Sequence, residues 1–198
     1  MTSPHIHQKF KETVLIVGSN SFIGKNIISE ISFRKIFCIQ QSKEKRLKKK
    51  NLQYFYLNLL DSVALKRVIS KCFYDKVIIC ASNNNNSINL SNNNIDIFHQ
   101  NTTILLNVLE SLKFNKKVKI ISFSSTEVLK KRSSIYSVSK KSNNLICKFY
   151  TSNYGLKINN LVITNVFGGN DLNFNRIIPF LIKNILFKKK IILKKKKK

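Results

Sequence analysis

Apolar and polar positions follow two periods along this chain, and the order of those periods outlines a fold. Val14–Val17 is a short β-branched apolar run, the pattern of a strand buried on both faces. Ser21–Ile31 then places Ile23, Ile27, Ile28 and Ile31 at helical spacing. Ile36–Ile39 predicts a second strand, and a charged link, Ser42–Lys50, follows it. Tyr54–Leu57 predicts a third strand, with Asp61 as the N-cap of a helix through Ser70. Lys76–Ala81 is a fourth strand pattern. The Asn-rich stretch Asn83–Asn94 reads as loop by composition, and a long loop inside a compact domain marks either function or disorder. Beyond it come a long helix, Ile95–Leu112, a strand, Val118–Phe123, and a helix over Tyr136–Asn153. A strand at Asn160–Thr164 and a helix at Ile178–Phe187 complete the pattern before Ile191–Leu193 and a lysine tail. Strand and helix alternate at the pitch of βαβ units, which predicts a doubly wound parallel sheet with helices on both faces.

Composition changes this picture little. With 198 residues, the chain has room for one ordinary domain and a small addition, and its hydrophobic fraction of 43% is that of a globular protein. The charge is unusual: 36 Lys+Arg against 9 Asp+Glu give +27. Such a balance suits nucleic acid or an anionic membrane. Here, however, Lys, Asn and Ile are inflated together, as drift in an A/T-rich genome produces, and no nucleic-acid motif accompanies them. The charge concentrates only at Lys48–Lys50 and Lys194–Lys198. A positive surface favours a phosphate-bearing substrate whatever its origin. Cys38, Cys72, Cys80 and Cys147 are scattered, with no C-x-x-C and no His at ligand spacing, so no metal site is expected. Buried, reduced thiols suit a cytoplasmic protein. Met1–Glu12 lacks the apolar core of a secretory signal, and Ile177–Phe187 is too short to span a bilayer.

Chemistry enters at the end of the first strand. Gly18-Ser-Asn-Ser-Phe-Ile-Gly24 leaves that strand and opens a helix, so backbone N–H groups and a helix N-terminus gather where a pyrophosphate can sit. Gly18 supplies the tight turn, and Gly24 lets the helix approach the sheet. The second candidate is Tyr136-Ser-Val-Ser-Lys140. Positions i and i+4 share a helix face, and a Lys ammonium beside a phenol favours the phenolate, which suits the pair to general-base work. It follows a strand that ends Ile121-Ser-Phe-Ser-Ser-Thr-Glu-Val128.

These motifs, in this order, resemble the NAD(P)-dependent epimerase/dehydratase family, the extended short-chain dehydrogenase/reductases that act on nucleotide sugars. The resemblance runs from Val14 to Leu193 and implies a Rossmann-like domain over residues 13–168. On the same footing, 1–12 would be an N-terminal extension, 169–193 the start of a rudimentary substrate lobe and 194–198 a lysine tail. It implies NAD or NADP held by Gly18, Asn20, Ser21, Phe22, Ile23 and Gly24, with Ser21 standing where the family keeps a middle glycine. Gln40 stands where an acid would hold the adenosine ribose; with Lys43 and Arg46 just beyond, that leans toward NADP. Asn58, in place of the family's Asp, and Leu59 would lie near the adenine. Ala81, Asn101, Tyr136 and Lys140 complete the cofactor set. Ser125, by register on Val128, would donate a hydroxyl to the reacting sugar oxygen, with Thr126, Asn165 and Arg176 on the substrate.

Glu127 and the segment Asn165–Pro179 are nearest to the 4,6-dehydratases. In that reading Tyr136 takes the sugar 4-hydroxyl proton, Glu127 takes the C5 proton, water leaves from C6, and hydride returns there. Thr126 stands at the dehydratase acid, Val162 at the family arginine, and Ser125 and Tyr136 lie closer together than usual. An epimerase or reductase of the same family, a truncated non-catalytic dinucleotide binder, and a basic nucleic-acid module therefore remain as alternatives. The resemblance also implies a homodimer built on the long helix and the Tyr-bearing helix.

Overall fold

A computed structural model of the chain describes residues 9–43, 47, 49–83, 94–131, 134–169, 171, 173–174 and 176–191. Arg46, most of the Asn83–Asn94 stretch, Leu193 and the Lys194–Lys198 tail lie outside the described residues. The strands are β1 (Lys9–Val17), β2 (Ser32–Gln40), β3 (Leu52–Tyr56), β4 (Lys76–Ile79), β5 (Lys119–Ser125) and β6 (Lys157–Ile163). They form one sheet in the order β3-β2-β1-β4-β5-β6, with every pairing parallel. This is the doubly wound dinucleotide order, and its direction reverses between β1 and β4. The helices are α1 (Phe22–Glu30), α2 (Ser62–Lys71), α3 (Asn94–Leu112), α4 (Ile135–Tyr154) and α5 (Ile177–Leu186).

Side chains that alternate along a strand divide the apolar run of β1 between two cores. Leu15 and Val17, with Ile39, Val77, Ile79 and Ile120, pack against Leu65 of α2, Leu105 and Leu109 of α3 and Cys147 of α4. Val14 and Ile16, with Ile36, Cys38, Ile78 and Cys80, pack against Ile28 of α1. All four β1 residues from Val14 to Val17 are fully buried, which explains why this run carries no polar position. The strands extend beyond their apolar centres. β1 already begins at Lys9, so residues 9–12, expected as an extension, form strand, in register with Ser32 and Phe33 of β2 across an irregularity before Thr13.

Local chemistry ends the helices where the chain must turn back to the sheet. Ser134 caps α4 by accepting from the Ser137 N–H at 3.1 Å. At its other end Gly155, with φ of 67°, donates to the Thr151 carbonyl while Leu156 N–H reaches the Tyr150 carbonyl. That left-handed termination aims buried Leu156 at the core and starts β6. A single 3-10 turn, Thr126–Leu129, follows β5.

All four cysteines are free; Cys38, Cys80 and Cys147 are buried and Cys72 is half-buried. Burial pushes the Cys38 and Cys80 thiols up to about 12 and Cys147 up to about 11, which leaves them poor nucleophiles. Among the described residues, no helix is long and apolar enough to cross a membrane, and no three His, Cys, Asp or Glu gather as a metal site. Two compact units divide the chain, Met1–Thr164 and Asn165–Lys198. In the second, α5 leaves Ile182, Ile185 and Leu186 exposed.

Candidate active site

The carboxyl ends of β1 and β4 flank the switch point, and the loop after β1 is shaped by close backbone approach. Gly18 has φ of 81°, and a Cβ there would stand 2.5 Å from the Ala81 nitrogen. A Cβ on Gly24 would stand 2.6 Å from the Gly18 carbonyl oxygen. Both positions therefore require glycine, one for the turn and one to seat α1 against the loop. The middle position does not. Ser21 has φ of −67° and ψ of 162°, ordinary extended backbone, and its Oγ accepts from the Gly24 N–H at 3.1 Å. Serine is thus the N-cap of α1, and its hydroxyl engages one of the N–H groups that a phosphate would otherwise meet. Phe22 is the first residue of α1, while the Ile23 side chain packs on the α1-side core. The bare backbone at Gly18 and the helix N-terminus behind it fit a dinucleotide pyrophosphate.

Gln40, the last residue of β2, is buried and held at both ends of its amide. Its Oε1 accepts from Ser19 Oγ at 2.8 Å, and its Nε2 donates to the Ser42 carbonyl at 2.7 Å. Asn20 Nδ2 donates to Ser42 Oγ at 3.1 Å. Asn58 is exposed after β3, and its Oδ1 accepts from the Leu60 N–H at 3.0 Å in the turn that leads to α2. Leu59 beside it is buried.

Tyr136 and Lys140 lie on the first turns of α4, against the end of β5. Lys140 is 5% exposed, and its Nζ donates to the Phe123 carbonyl oxygen at 2.9 Å. The same Nζ stands 5.6 Å from the Tyr136 ring centroid. Burial pulls the Lys140 ammonium down from 10.5 to about 8. An amine in that range is still mainly charged at neutral pH and holds positive potential beside the phenol. Ser125 closes β5; its Oγ accepts from the Glu127 N–H at 3.2 Å and so caps the 3-10 turn. Thr126 opens that turn. Glu127 is paired with Lys130, Oε1 to Nζ at 2.5 Å.

Asn101, buried in α3, links these parts. Its Oδ1 accepts from the Asn83 N–H at 2.7 Å, and its Nδ2 donates to the Asn83 carbonyl at 2.9 Å and to Ser139 Oγ at 3.0 Å. Ser139 Oγ in turn donates to the Tyr136 carbonyl at 2.8 Å, and Asn143 Nδ2 donates to the Asn101 carbonyl at 3.2 Å. The chain leaving β4 is thereby tied to the helix that carries the Tyr–Lys pair. Among the described residues, Ser124 Oγ and Asn143 Oδ1 are buried with no hydrogen-bond partner.

Sequence reasoning brought Tyr136, Lys140, Ser125 and Glu127 to neighbouring elements, and Gly18, Ser21, Gly24, Gln40 and Ala81 to the carboxyl ends of β1, β2 and β4. It missed the Phe123 carbonyl, which no side-chain pattern reveals. It also missed Ser19, Ser42, Ser139 and Asn143; only the last two carried a signal, as polar residues on the buried face of an amphipathic helix. Asn165 and Arg176 belong to the second unit, where Arg176 Nη1 reaches Asp171 Oδ2 at 3.4 Å and the Val166 carbonyl at 3.3 Å.

A glycine-shaped loop at the switch point and a Tyr–Lys helix beside the fifth strand define a dinucleotide-binding fold of the extended short-chain dehydrogenase/reductase type. The chain belongs to the NAD dependent epimerase/dehydratase family, whose pattern matches residues 14–197. No curated protein sequence matches it. Among solved structures, it resembles dTDP-glucose 4,6-dehydratase from Bacillus anthracis in complex with NAD, at 21% identity and a TM-score of 0.72 over 90% of this chain and 62% of that one. UDP-glucose 4-epimerase from Thermotoga maritima with UDP-glucose gives 16% identity and 0.75 over 90% and 64%. UDP-N-acetylglucosamine 4-epimerase from Methanobrevibacter ruminantium, in complex with UDP-N-acetylmuramic acid, gives 23% and 0.73 over 91% and 64%. The chain spans less than two thirds of the length of each of these proteins.

Proposed function

We propose that this protein is an NAD(P)-dependent nucleotide-sugar enzyme that transiently oxidises the sugar at C4, with Tyr136 as the base. The observation that carries this reading is Lys140: buried, anchored on the Phe123 carbonyl and set beside the Tyr136 ring. A buried ammonium there stabilises the phenolate that forms as Tyr136 takes the proton of the sugar hydroxyl. Ser125, at the tip of β5, offers a hydroxyl to the same oxygen. The bound nicotinamide supplies hydride acceptance and return. Gly18 and the N-terminus of α1 hold the pyrophosphate, and the Asn101 network holds α4 in place under the reacting group.

Glu127 supports the 4,6-dehydratase branch, as the base for the C5 proton. One observation favours an epimerase or reductase instead: Glu127 ion-pairs with Lys130, and the Thr126 hydroxyl beside it is too weak an acid to protonate a leaving hydroxyl. A panel of dTDP-, CDP- and UDP-hexoses incubated with NAD or NADP separates the branches by mass. Loss of one water marks the dehydratase, an unchanged mass with an inverted C4 marks the epimerase, and binding without turnover marks a non-catalytic dinucleotide binder. No binding of either cofactor at millimolar concentration overturns the proposal.

A homodimer through α3 and α4 is part of this reading. Leu106, Leu145 and Phe149 on those helices are exposed, and light scattering after gel filtration tests it. The four free cysteines suit a reducing cytoplasm.

A further inference from the structure

We propose that the amino-terminal end of the sheet, opposite the candidate active site, docks on an anionic lipid bilayer, with Phe73 and Phe114 as the side chains that enter it. The strands are all parallel, so their first residues gather at one end, and α2 and α3 return the chain there. Phe73 stands in the turn from α2 to β4 and Phe114 in the turn from α3 to β5. They are 93% and 84% exposed, more than any other phenylalanine among the described residues. The two turns are joined, because the Lys119 N–H donates to the Asp75 carbonyl at 3.2 Å. A ring so fully in water contributes nothing to the core of this chain and gains by leaving water.

Ammonium groups surround the two rings. The register sets Lys76, Lys119 and Lys157 directly opposite one another at the starts of β4, β5 and β6. Like charges on facing strand positions cost stability, so the fold itself does not call for this row. Burial raises the Cys72 thiol and the Lys35 ammonium draws it down, which brings Lys35 of β2 to the turn that carries Phe73. Lys113 Nζ lies 5.4 Å from the Phe114 ring centroid and 5.9 Å from that of Tyr154, at the end of α4. The nearby acids are engaged: Glu12 pairs with Lys76, Glu110 pairs with Lys113, and Asp75 accepts from the Thr13 N–H. Lys35, Lys71, Lys116, Lys117, Lys119 and Lys157 are left exposed, and none forms an ion pair among the described residues. Duplex nucleic acid would account for the lysines but gives the rings no partner, since its bases are stacked inside. The interfacial layer of a bilayer takes both, with rings at the acyl boundary and ammonium groups at the lipid phosphates. Docked in this way, the carboxyl ends of the strands face away from the lipid.

The whole chain carries +27, so the test must separate this face from general attraction to anions. The chain has no tryptophan, so Phe73→Trp and Phe114→Trp each place a single reporter, and Val63→Trp, at the far end of α2, is the control. Each full-length variant is titrated with vesicles of phosphatidylcholine containing about 30% phosphatidylserine at about 0.15 M salt. The expected result is a blue shift and quenching by brominated lipid at positions 73 and 114 and neither at 63. Lys116→Glu with Lys117→Glu should weaken vesicle binding about twentyfold or more, at about fivefold for each lysine near the surface. The same change of charge in the second unit, Lys188→Glu with Lys189→Glu, should weaken it less than about threefold. Reporters at 73 and 114 that stay in water overturn the proposal even if vesicles bind. Equal losses from the two charge reversals overturn it as well, because they mark attraction by net charge alone. If duplex DNA binds tighter than the vesicles and is the ligand that Lys116→Glu with Lys117→Glu weakens, the face belongs to nucleic acid and the bilayer reading falls.

Discussion

Lys140 of α4 reaches across to the last turns of β5 and places its ammonium 2.9 Å from the carbonyl oxygen of Phe123. That bond fixes the charge two residues before Ser125 and one helical turn after Tyr136. Its cost is the removal of an ammonium from water, which lowers the Lys140 proton affinity to about 8. In the unfolded chain the same amine holds its proton to about 10.5. Between these values the unfolded state binds more protons, so this group makes stability rise with pH through that window, by on the order of 3 kcal/mol, with the full penalty present below pH 8. Chemical denaturation at pH 7.5 and 10 should reveal this rise in the wild type, and Lys140→Met should lack it. If the reading of Tyr136 as base holds, turnover should also decline as pH rises through about 8, because the neutral amine no longer supports the phenolate.

Ser21 competes with the cofactor for the start of α1. Replacing it with glycine frees the Gly24 N–H that its hydroxyl now binds. Ser21→Gly should tighten NAD(P) binding several-fold at a stability cost of only a few tenths of a kcal/mol, whereas Ser21→Ala should cost about 1 kcal/mol as a lost cap. Isothermal titration and thermal unfolding of the two variants test this; an unchanged or weaker affinity in the glycine variant refutes it.

Gly18 tolerates no side chain. A Cβ there meets the Ala81 backbone at 2.5 Å and 2.6 Å, and the positive φ adds strain. Gly18→Ala should lose about 2 kcal/mol or more and abolish dinucleotide binding even where the fold survives. Denaturant melts and cofactor titration on the same preparation read both effects.

Asn101→Ala removes four side-chain hydrogen bonds at once, to Ser82, to both backbone groups of Asn83 and to Ser139. The loss should be about 2 kcal/mol, since buried Ser139 and the half-buried Asn83 backbone each lose a partner. Hydrogen exchange should quicken at Asn83 and in the first turns of α4. Protection unchanged at both would mean that the tie does not hold the helix.

Glu127→Gln separates the chemistry from the fold. The pair with Lys130 is largely solvent-accessible, so its loss should change stability by less than about 1 kcal/mol. If the dehydratase branch is right, the same change should stop the loss of water and the entry of solvent deuterium at C5 of the recovered sugar, by mass spectrometry, while C4 oxidation continues. If the epimerase branch is right, turnover should be nearly unaffected.

The order of the elements was legible because a parallel sheet covered on both faces needs uninterrupted apolar strands, and Val14–Val17 and Ile36–Ile39 are such runs. The strand ends were not. Lys9 and Phe10, Ser32, Phe33 and Lys35, and Lys157–Asn159 continue their strands through parallel pairing to a neighbour, and main-chain bonding leaves no mark on side-chain pattern. Of the site, the sequence by itself determined the glycine loop, the Tyr136–Lys140 spacing and the strand tip at Ser125, because each is local. Only the tertiary structure decided that Ser21 would cap α1, that Gln40 would be spent on Ser19 and Ser42, and that Lys140 would rest on a backbone carbonyl. Those outcomes depend on which polar atoms remain unpaired when distant segments close over them, and burial, not composition, settles that.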